Sequence, residues 1–215
     1  MIYDLAPSGP GATATVRVEN DNPRPITIEM IAERRDFDEQ GKESRRPAEA
    51  EFVLFPPQAV VPAGKTQAVR VQYVGTPKLD ESVMYVVTVK QVPVELPANG
   101  PSGVQFVFNF GTLANIVPAG AKGAVQVKNV APVNGGYQVR LHNAGNKYVN
   151  LSLGQLTLNA GGKSTPVNAD VWRTALGTNW LLPGKDRVVT LPAQPDISGA
   201  ATAKFDMDVQ TAVKS

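Results

Sequence analysis

Residues able to make or break bonds are sparse in this chain. The one histidine, His142, ends a β-prone segment beside Asn143, with no cysteine or second histidine to share a proton or a metal. Asp206 and Asp208 fall on one face of an extended segment, as the paired carboxylates of a glycosidase would. Two solvated acids on the outer face of a late strand meet the same spacing without any chemistry. No Gly-x-Ser-x-Gly elbow, phosphate loop or dinucleotide fingerprint occurs. Without cysteine there is neither a disulfide framework nor a thiolate nucleophile. The sequence points away from an enzyme and implies no cofactor and no metal. Asn150-Leu151-Ser152 matches a glycosylation acceptor, a tripeptide that chance supplies often.

Recognition chemistry is concentrated in one stretch, Val104-Gln105-Phe106-Val107-Phe108-Asn109-Phe110. Val104, Phe106, Phe108 and Phe110 recur every second residue, so an extended chain projects them from one face. Two uses fit. The segment can be a core strand of a β-sandwich with its aromatic face turned inward. It can also be held out for another chain, pairing by backbone hydrogen bonds while alternate side chains enter the partner's groove. Burying each Val or Phe yields roughly 1.5–3 kcal/mol, a large gross term for four in a row before the cost of association. Left in water, such an edge invites uncontrolled pairing, and proteins seldom leave one without a partner.

The elements that must position this stretch read as short strands between turns. Thr13 to Asn20 and Ile26 to Ile31 alternate, separated by the turn Asn20-Asp21-Asn22-Pro23. Glu33 to Glu51 carries 12 charged residues in 19 positions and reads as a solvated hairpin or loop. Phe52 to Phe55 stops at Pro56-Pro57, Val60 to Lys65 turns, and Gln67 to Val74 and Val83 to Val92 follow as strands. Arg70 and Glu81 are the charged pair singled out in this half, as a salt bridge holding neighbouring strands in register. Pro97 to Gly103 is a Gly/Pro-rich loop that delivers the chain to the phenylalanines. Beyond Pro118-Ala119-Gly120 a second set is expected at 124–130, 137–142, 148–153, 155–158, 180–182, 187–191 and 202–209, with no convincing internal repeat. The expectation is an all-β chain of two domains, 1–118 and 119–215.

Composition agrees. Of 215 residues 42% are hydrophobic and 19% charged, with 19 Gly and 18 Pro, which favours turns over long helices. The net charge of +2 divides into about −3 up to Pro118 and +5 beyond it, too weak and scattered for nucleic acid. The longest apolar stretch, Val83 to Val89, is strand-sized, so no membrane insertion is expected. The chain opens Met1-Ile2-Tyr3-Asp4 without the basic and apolar regions of a signal peptide, which an exported protein would already have lost.

Several segments together resemble one family. Phe52-Val53-Leu54-Phe55-Pro56-Pro57, Val61-Pro62-Ala63-Gly64-Lys65-Thr66-Gln67-Ala68-Val69-Arg70-Val71, Glu81-Ser82-Val83-Met84-Tyr85 and Gln91-Val92-Pro93-Val94 resemble, in order and spacing, the periplasmic pilus chaperones of the chaperone-usher pathway. Asn20 and Asn109 to Pro118 fit as well, as do His142-Asn143-Ala144-Gly145-Asn146 and Trp180 to Arg187 in the second half. The resemblance implies two immunoglobulin-like β-sandwich domains in a boomerang arrangement. It implies a periplasmic chaperone that binds, folds and caps pilus subunits by donor-strand complementation and delivers them to the outer-membrane usher. By position, Val104, Phe106, Phe108 and Phe110 would enter the subunit, and Pro25 and Pro56 match prolines of a usher-binding surface. Self-association of the free chaperone through the same strand is a further implication.

The sequence departs from the better-known branch of that family at its anchoring cations. The position of the first-strand Arg falls near Asp4 and that of the Lys near Thr112 or Leu113; Val117 replaces a basic residue before Pro118. Burial and backbone pairing would then hold the subunit, as in the archaic or alternative branch. The rival reading from another class is an extracellular adhesion or carbohydrate-binding β-sandwich, presenting Trp172 or Trp180 to a ligand.

Overall fold

The computed structural model describes residues 1–93, 107–194 and 197–207. Strands dominate, and the chain divides into two compact units. The first comprises Met1–Arg35, Arg45–Leu79 and Val83–Ala119; the second comprises Asp36–Ser44, Asp80–Ser82 and Gly120–Ser215. An all-β architecture is what the sequence leads one to expect.

Among the described residues of the first unit, nine strands lie in the order β1 (Ile2–Leu5), β2 (Thr13–Glu19), β3 (Ile26–Phe37), β4 (Glu43–Pro47), β5 (Phe52–Phe55), β6 (Gln58–Val61), β7 (Thr66–Tyr73), β8 (Val83–Val92) and β9 (Asn109–Ile116). One sheet runs β1-β9-β8-β3-β4 with β6 added on β3, and the other runs β2-β7-β5. Alternation decides what each strand buries: Val69, Val71 and Tyr73 of β7 face inward while Ala68 and Arg70 are exposed. Opposite them, Ile28, Met30, Val87, Val89, Ala114 and Ile116 complete the core of the sandwich. Phe52 meets Tyr73 and Tyr85 edge-on, with ring centroids 5.5 and 5.0 Å apart. The Tyr85 hydroxyl donates to Glu51 Oε2 at 2.5 Å; burial first, and that bond next, push its pKa far up.

Two elements of this unit differ from expectation: β1, and β6, in which Val60 and Val61 pair with Thr27 and Ile26 instead of turning. The opening residues form β1, parallel to the end of β9 in the register Ile2↔Leu113 to Leu5↔Ile116. No alternation marks so short a segment, and its pairing is non-local. The charged stretch is a hairpin, in line with expectation, and its first arm lengthens β3 to Phe37.

The second unit holds β10 (Val125–Val133), β11 (Gly136–Asn143), β12 (Val149–Asn150), β13 (Gly154–Ala160), β14 (Lys163–Pro166), β15 (Trp180–Leu181), β16 (Asp186–Pro192) and β17 (Thr202–Met207). They form the sheets β10-β11-β16, β14-β13-β17 and the small pair β12-β15. A helix missed by the sequence reading, α1 (Ala169–Leu176), crosses between β14 and β15. Asn168 caps it, accepting from the N–H groups of Asp170 and Val171 at 2.9 and 3.3 Å. Trp172 and Leu176, four apart, are buried, and Arg187 donates to the carbonyls of Leu176 and Thr178 past its end. Eight residues with two apolar anchors are too few for a helical period to show against a β-rich background.

Each unit contains the same latch. Asn20 follows β2 and Asn143 closes β11; they are 1% and 0% exposed. Each takes its own backbone partners from a turn ending in Gly-Lys: Asn20 N–H donates to Lys65 O and Gly64 N–H to Asn20 O, as Asn143 N–H donates to Lys185 O and Gly184 N–H to Asn143 O. Side-chain oxygens accept from the residue two ahead, Asn22 N–H and Gly145 N–H, both at 3.1 Å. Amide groups donate to the carbonyl four ahead, Arg24 and Lys147, and to the residue before the turn, Val61 and Leu181. Gly64 and Gly184 both take φ +65°, the left-handed region that glycine enters without a Cβ penalty.

Candidate functional site

The site is built where β9 enters the first sheet. Its register against β8 runs Lys90↔Asn109, Val89↔Phe110 and Val87↔Thr112 to Val83↔Ile116. Gln91 N–H donates to Phe108 O at 3.0 Å, so the peptide groups of Phe108, Phe110 and Thr112 turn towards β8. The odd-numbered ones turn the other way, as Leu113 N–H shows by donating to Met1 O at 2.9 Å. Because β1 begins opposite Leu113, Asn109 and Gly111 present backbone donors and acceptors on a side where no described strand stands. Among the described residues that is an unpaired edge two residues deep, continuous with a paired one.

The side chains beside this edge are apolar and open. Phe108 and Phe110 share the face that buries Ala114 and Ile116 further along β9, yet they are 50% and 64% exposed. Their rings stack at 6.0 Å with planes 21° apart. Next to them lies a cleft of about 210 Å³ lined by Val18, Ile26, Ile28 and Val89 among others. Val104 and Phe106, expected on the same face, lie outside the described residues.

At the join of β1 and β9, Tyr3 meets Thr112 and Asp4 meets Asn115. The Thr112 hydroxyl donates to Val87 O at 3.0 Å, so the Tyr3 hydroxyl, 3.3 Å away, is the donor of their shared bond. Burial raises the Tyr3 pKa and Thr112 lowers it. Asn115 Nδ2 donates to Asp4 Oδ1 at 3.3 Å.

Other residues named from sequence fall in separate places. Pro25 is exposed just before β3, and Pro56 is half-buried after a cis bond to Phe55. They flank the β3–β6 ladder, with Val60, 63% exposed, opposite Thr27 between them. Arg70 is exposed on β7 opposite Phe55, and Glu81 is exposed before β8; no ion pair joins them among the described residues. The expectation of a register-setting bridge is corrected, because Arg70 lies in the sheet β2-β7-β5 and Glu81 leads into the other. Trp172 is buried, its Nε1 donating to Leu151 O at 2.9 Å, which removes it as a ligand platform. Trp180 is half-buried edge-on to Tyr148, centroids 5.4 Å apart.

Nor do the residues considered for catalysis converge. His142 Nδ1 sits 2.7 Å from Asp186 Oδ1, and Arg140 Nη1 lies 3.0 Å from the other oxygen and 2.9 Å from Glu39. The hydrogen bond with His142, then Arg140, holds the Asp186 carboxyl below the usual range against the opposing effect of desolvation. Asp206 pairs with Lys204 at 2.7 Å, and Asp208 lies outside the described residues. Asn150 Oδ1 accepts from Ser152 N–H and Oγ, capping a one-turn 3₁₀ segment.

Sequence reasoning offered an edge in this stretch as one of two uses but did not place it at Asn109 and Gly111, and it did not find the cleft beside it. A glycine inside a strand pattern, Gly111, was the available sign of close backbone approach.

Residues 7–113 match the model of the pili and flagellar-assembly chaperones, PapD N-terminal domain. No curated protein sequence matches the chain. Among solved structures, the class 5 fimbriae chaperone CfaA is 13% identical over 96% of this chain and 96% of its own, with a TM-score of 0.61. The CsuC-CsuE chaperone-tip adhesion subunit pre-assembly complex of Acinetobacter baumannii matches at 15% identity over 95% and 88%, TM-score 0.57. The Salmonella enterica SafA pilin in complex with the SafB chaperone matches at 18% over 89% and 80%, TM-score 0.54. At such identities these structures share the fold.

Proposed function

We propose, for a chain that belongs to the pili and flagellar-assembly chaperones, that it captures pilus subunits on β9 by donor-strand complementation. The observation that carries this reading is the open edge at Asn109 and Gly111 beside the stacked, exposed Phe108 and Phe110. A subunit that lacks its own last strand pairs its backbone with that edge and takes the alternate side chains into its groove. Val104 and Phe106, in the same sequence period, extend the row. Fully burying an aromatic gives roughly 1.5–3 kcal/mol, and about half of that remains to be gained for each exposed ring. With Asp4 and Thr112 near the positions of the family's cations, apolar burial and backbone pairing supply the grip.

The subunit is thereby folded and capped, and no nucleotide is needed. The periplasm is where such a chaperone works, and the outer-membrane usher receives the loaded complex through Pro25, Pro56 and the exposed Val60. Two structural relatives in complex with a tip subunit and a pilin support this partner class. Without a subunit, the same edge can pair with a second copy. The test is co-purification of a tagged chaperone with its co-expressed pilus subunit. Phe108→Asp with Phe110→Asp is expected to abolish capture while thermal unfolding of the chaperone changes little. Undiminished capture by that variant would overturn the proposal.

A further inference from the structure

The cleft beside the aromatic pair has no role in strand pairing itself. It opens between the two sheets of the first unit, lined by Val18 and Glu19 of β2, Ile26 and Ile28 of β3, Val89 and Gln91 of β8, and by Phe108 and Phe110; Asp21 and Asn22 of the latch turn complete its rim. Its floor is apolar: Ile28 and Val89 are buried, and Val18 and Ile26 are half-buried. Among the described residues of the lining the charged ones are Glu19 and Asp21, both exposed. Its volume of about 210 Å³ is below the ~300–1,000 Å³ of clefts that enclose drug-sized ligands. That size fits a large side chain of a peptide.

Resting on the chaperone reading, we propose that this cleft receives one large apolar side chain of the bound subunit, flanked in the subunit by a lysine or arginine that meets Glu19 and Asp21. The interlock is thus reciprocal: rings from β9 enter the subunit, and a knob from the subunit enters behind those rings. The cleft is continuous with the proposed capture surface through Phe108 and Phe110, which belong to both. The carboxylate rim selects the sign of the flanking charge. The knob supplies an anchor in a chain that has Asp4 and Thr112 in place of the family's cations.

The absence of native cysteines makes a direct test available. Val18→Cys introduces a unique thiol at the cleft, and its alkylation by a small maleimide is timed in the free chaperone and in the complex with the co-expressed pilus subunit. At least tenfold slowing in the complex is expected. A second variant, Glu19→Lys with Asp21→Lys, alters only exposed positions and is expected to speed subunit dissociation about tenfold at low salt, an effect that high salt erases. Unchanged alkylation in an intact complex would overturn the inference while leaving donor-strand capture standing. Protection that depends on chaperone concentration without subunit would assign the cleft to a second copy and equally overturn it. An unchanged dissociation rate in the charge-reversal variant would remove the basic flank. Failure of the wild-type chain to retain any pilus subunit would instead defeat the chaperone reading itself.

Discussion

The latches at Asn20 and Asn143 are built alike and finish differently. Both asparagines bind the same positions of a Gly-Lys turn, and the residue before each sits opposite the first residue of the returning strand: Glu19 faces Thr66, and His142 faces Asp186. In the second unit that position is closed by charge, with His142, Asp186 and Arg140 bonded together. In the first it borders the apolar cleft and the exposed rings. One turn chemistry therefore serves both a sandwich end bordered by a bonded charged cluster and one bordered by an apolar cleft. What separates them is the side chains placed around the turn, and the opening is where we propose that the subunit docks.

The largest effect expected from breaking this contrast is on capture. Phe108→Asp with Phe110→Asp should reduce subunit retention by two orders of magnitude or more in co-purification, because both rings and the edge beside them lose their apolar contact. Next come the latches. Asn20→Ala or Asn143→Ala strips a buried amide from several backbone partners, each unsatisfied group costing about 1–3 kcal/mol, so each variant should lose about 3 kcal/mol. Both tryptophans lie in the second unit, so Asn143→Ala should shift the fluorescence-detected urea transition. Asn20→Ala should shift the part seen only by circular dichroism. Losses differing by more than about 2 kcal/mol would show that the matching bonds do different jobs.

Smaller effects sharpen the picture. Tyr85→Phe removes the bond to Glu51 and should cost about 1 kcal/mol by denaturant titration. The Asp186 carboxyl has its folded pKa depressed, so its contribution is complete above the unfolded value of about 3.9 and fades as pH falls through the folded value. The stability gap between wild type and Asp186→Asn should therefore shrink from pH 7 to pH 3 in urea titrations. The side chain is 29% exposed and so partly screened by solvent, and this gap should be the smallest of the set.

Period-2 alternation made many strands legible, a β-prone apolar run gave β8 to the residue, and the buried face of β7 followed directly from Val69, Val71 and Tyr73. It carried little information for β1, β12 and β14, whose short segments owe their state to partners distant in the chain. The shared latch was illegible as a repeat because what recurs is a set of backbone bonds around one asparagine, and backbone groups leave no letters. At the site, the aromatic period was visible, whereas the free edge depended on where β1 stops. The Arg70–Glu81 pairing failed for a similar reason: proximity of strands in sequence does not say which sheet each joins.

The central claim is that Asn109 and Gly111 offer their backbone to a foreign strand. Residue-resolved amide exchange in the free chaperone and in its complex with the pilus subunit tests this most directly. Both amides should exchange rapidly when free and become protected at least a hundredfold on capture, while Leu113, already bonded to Met1, changes little. Amides at Asn109 and Gly111 that still exchange rapidly in a stable complex would contradict the account.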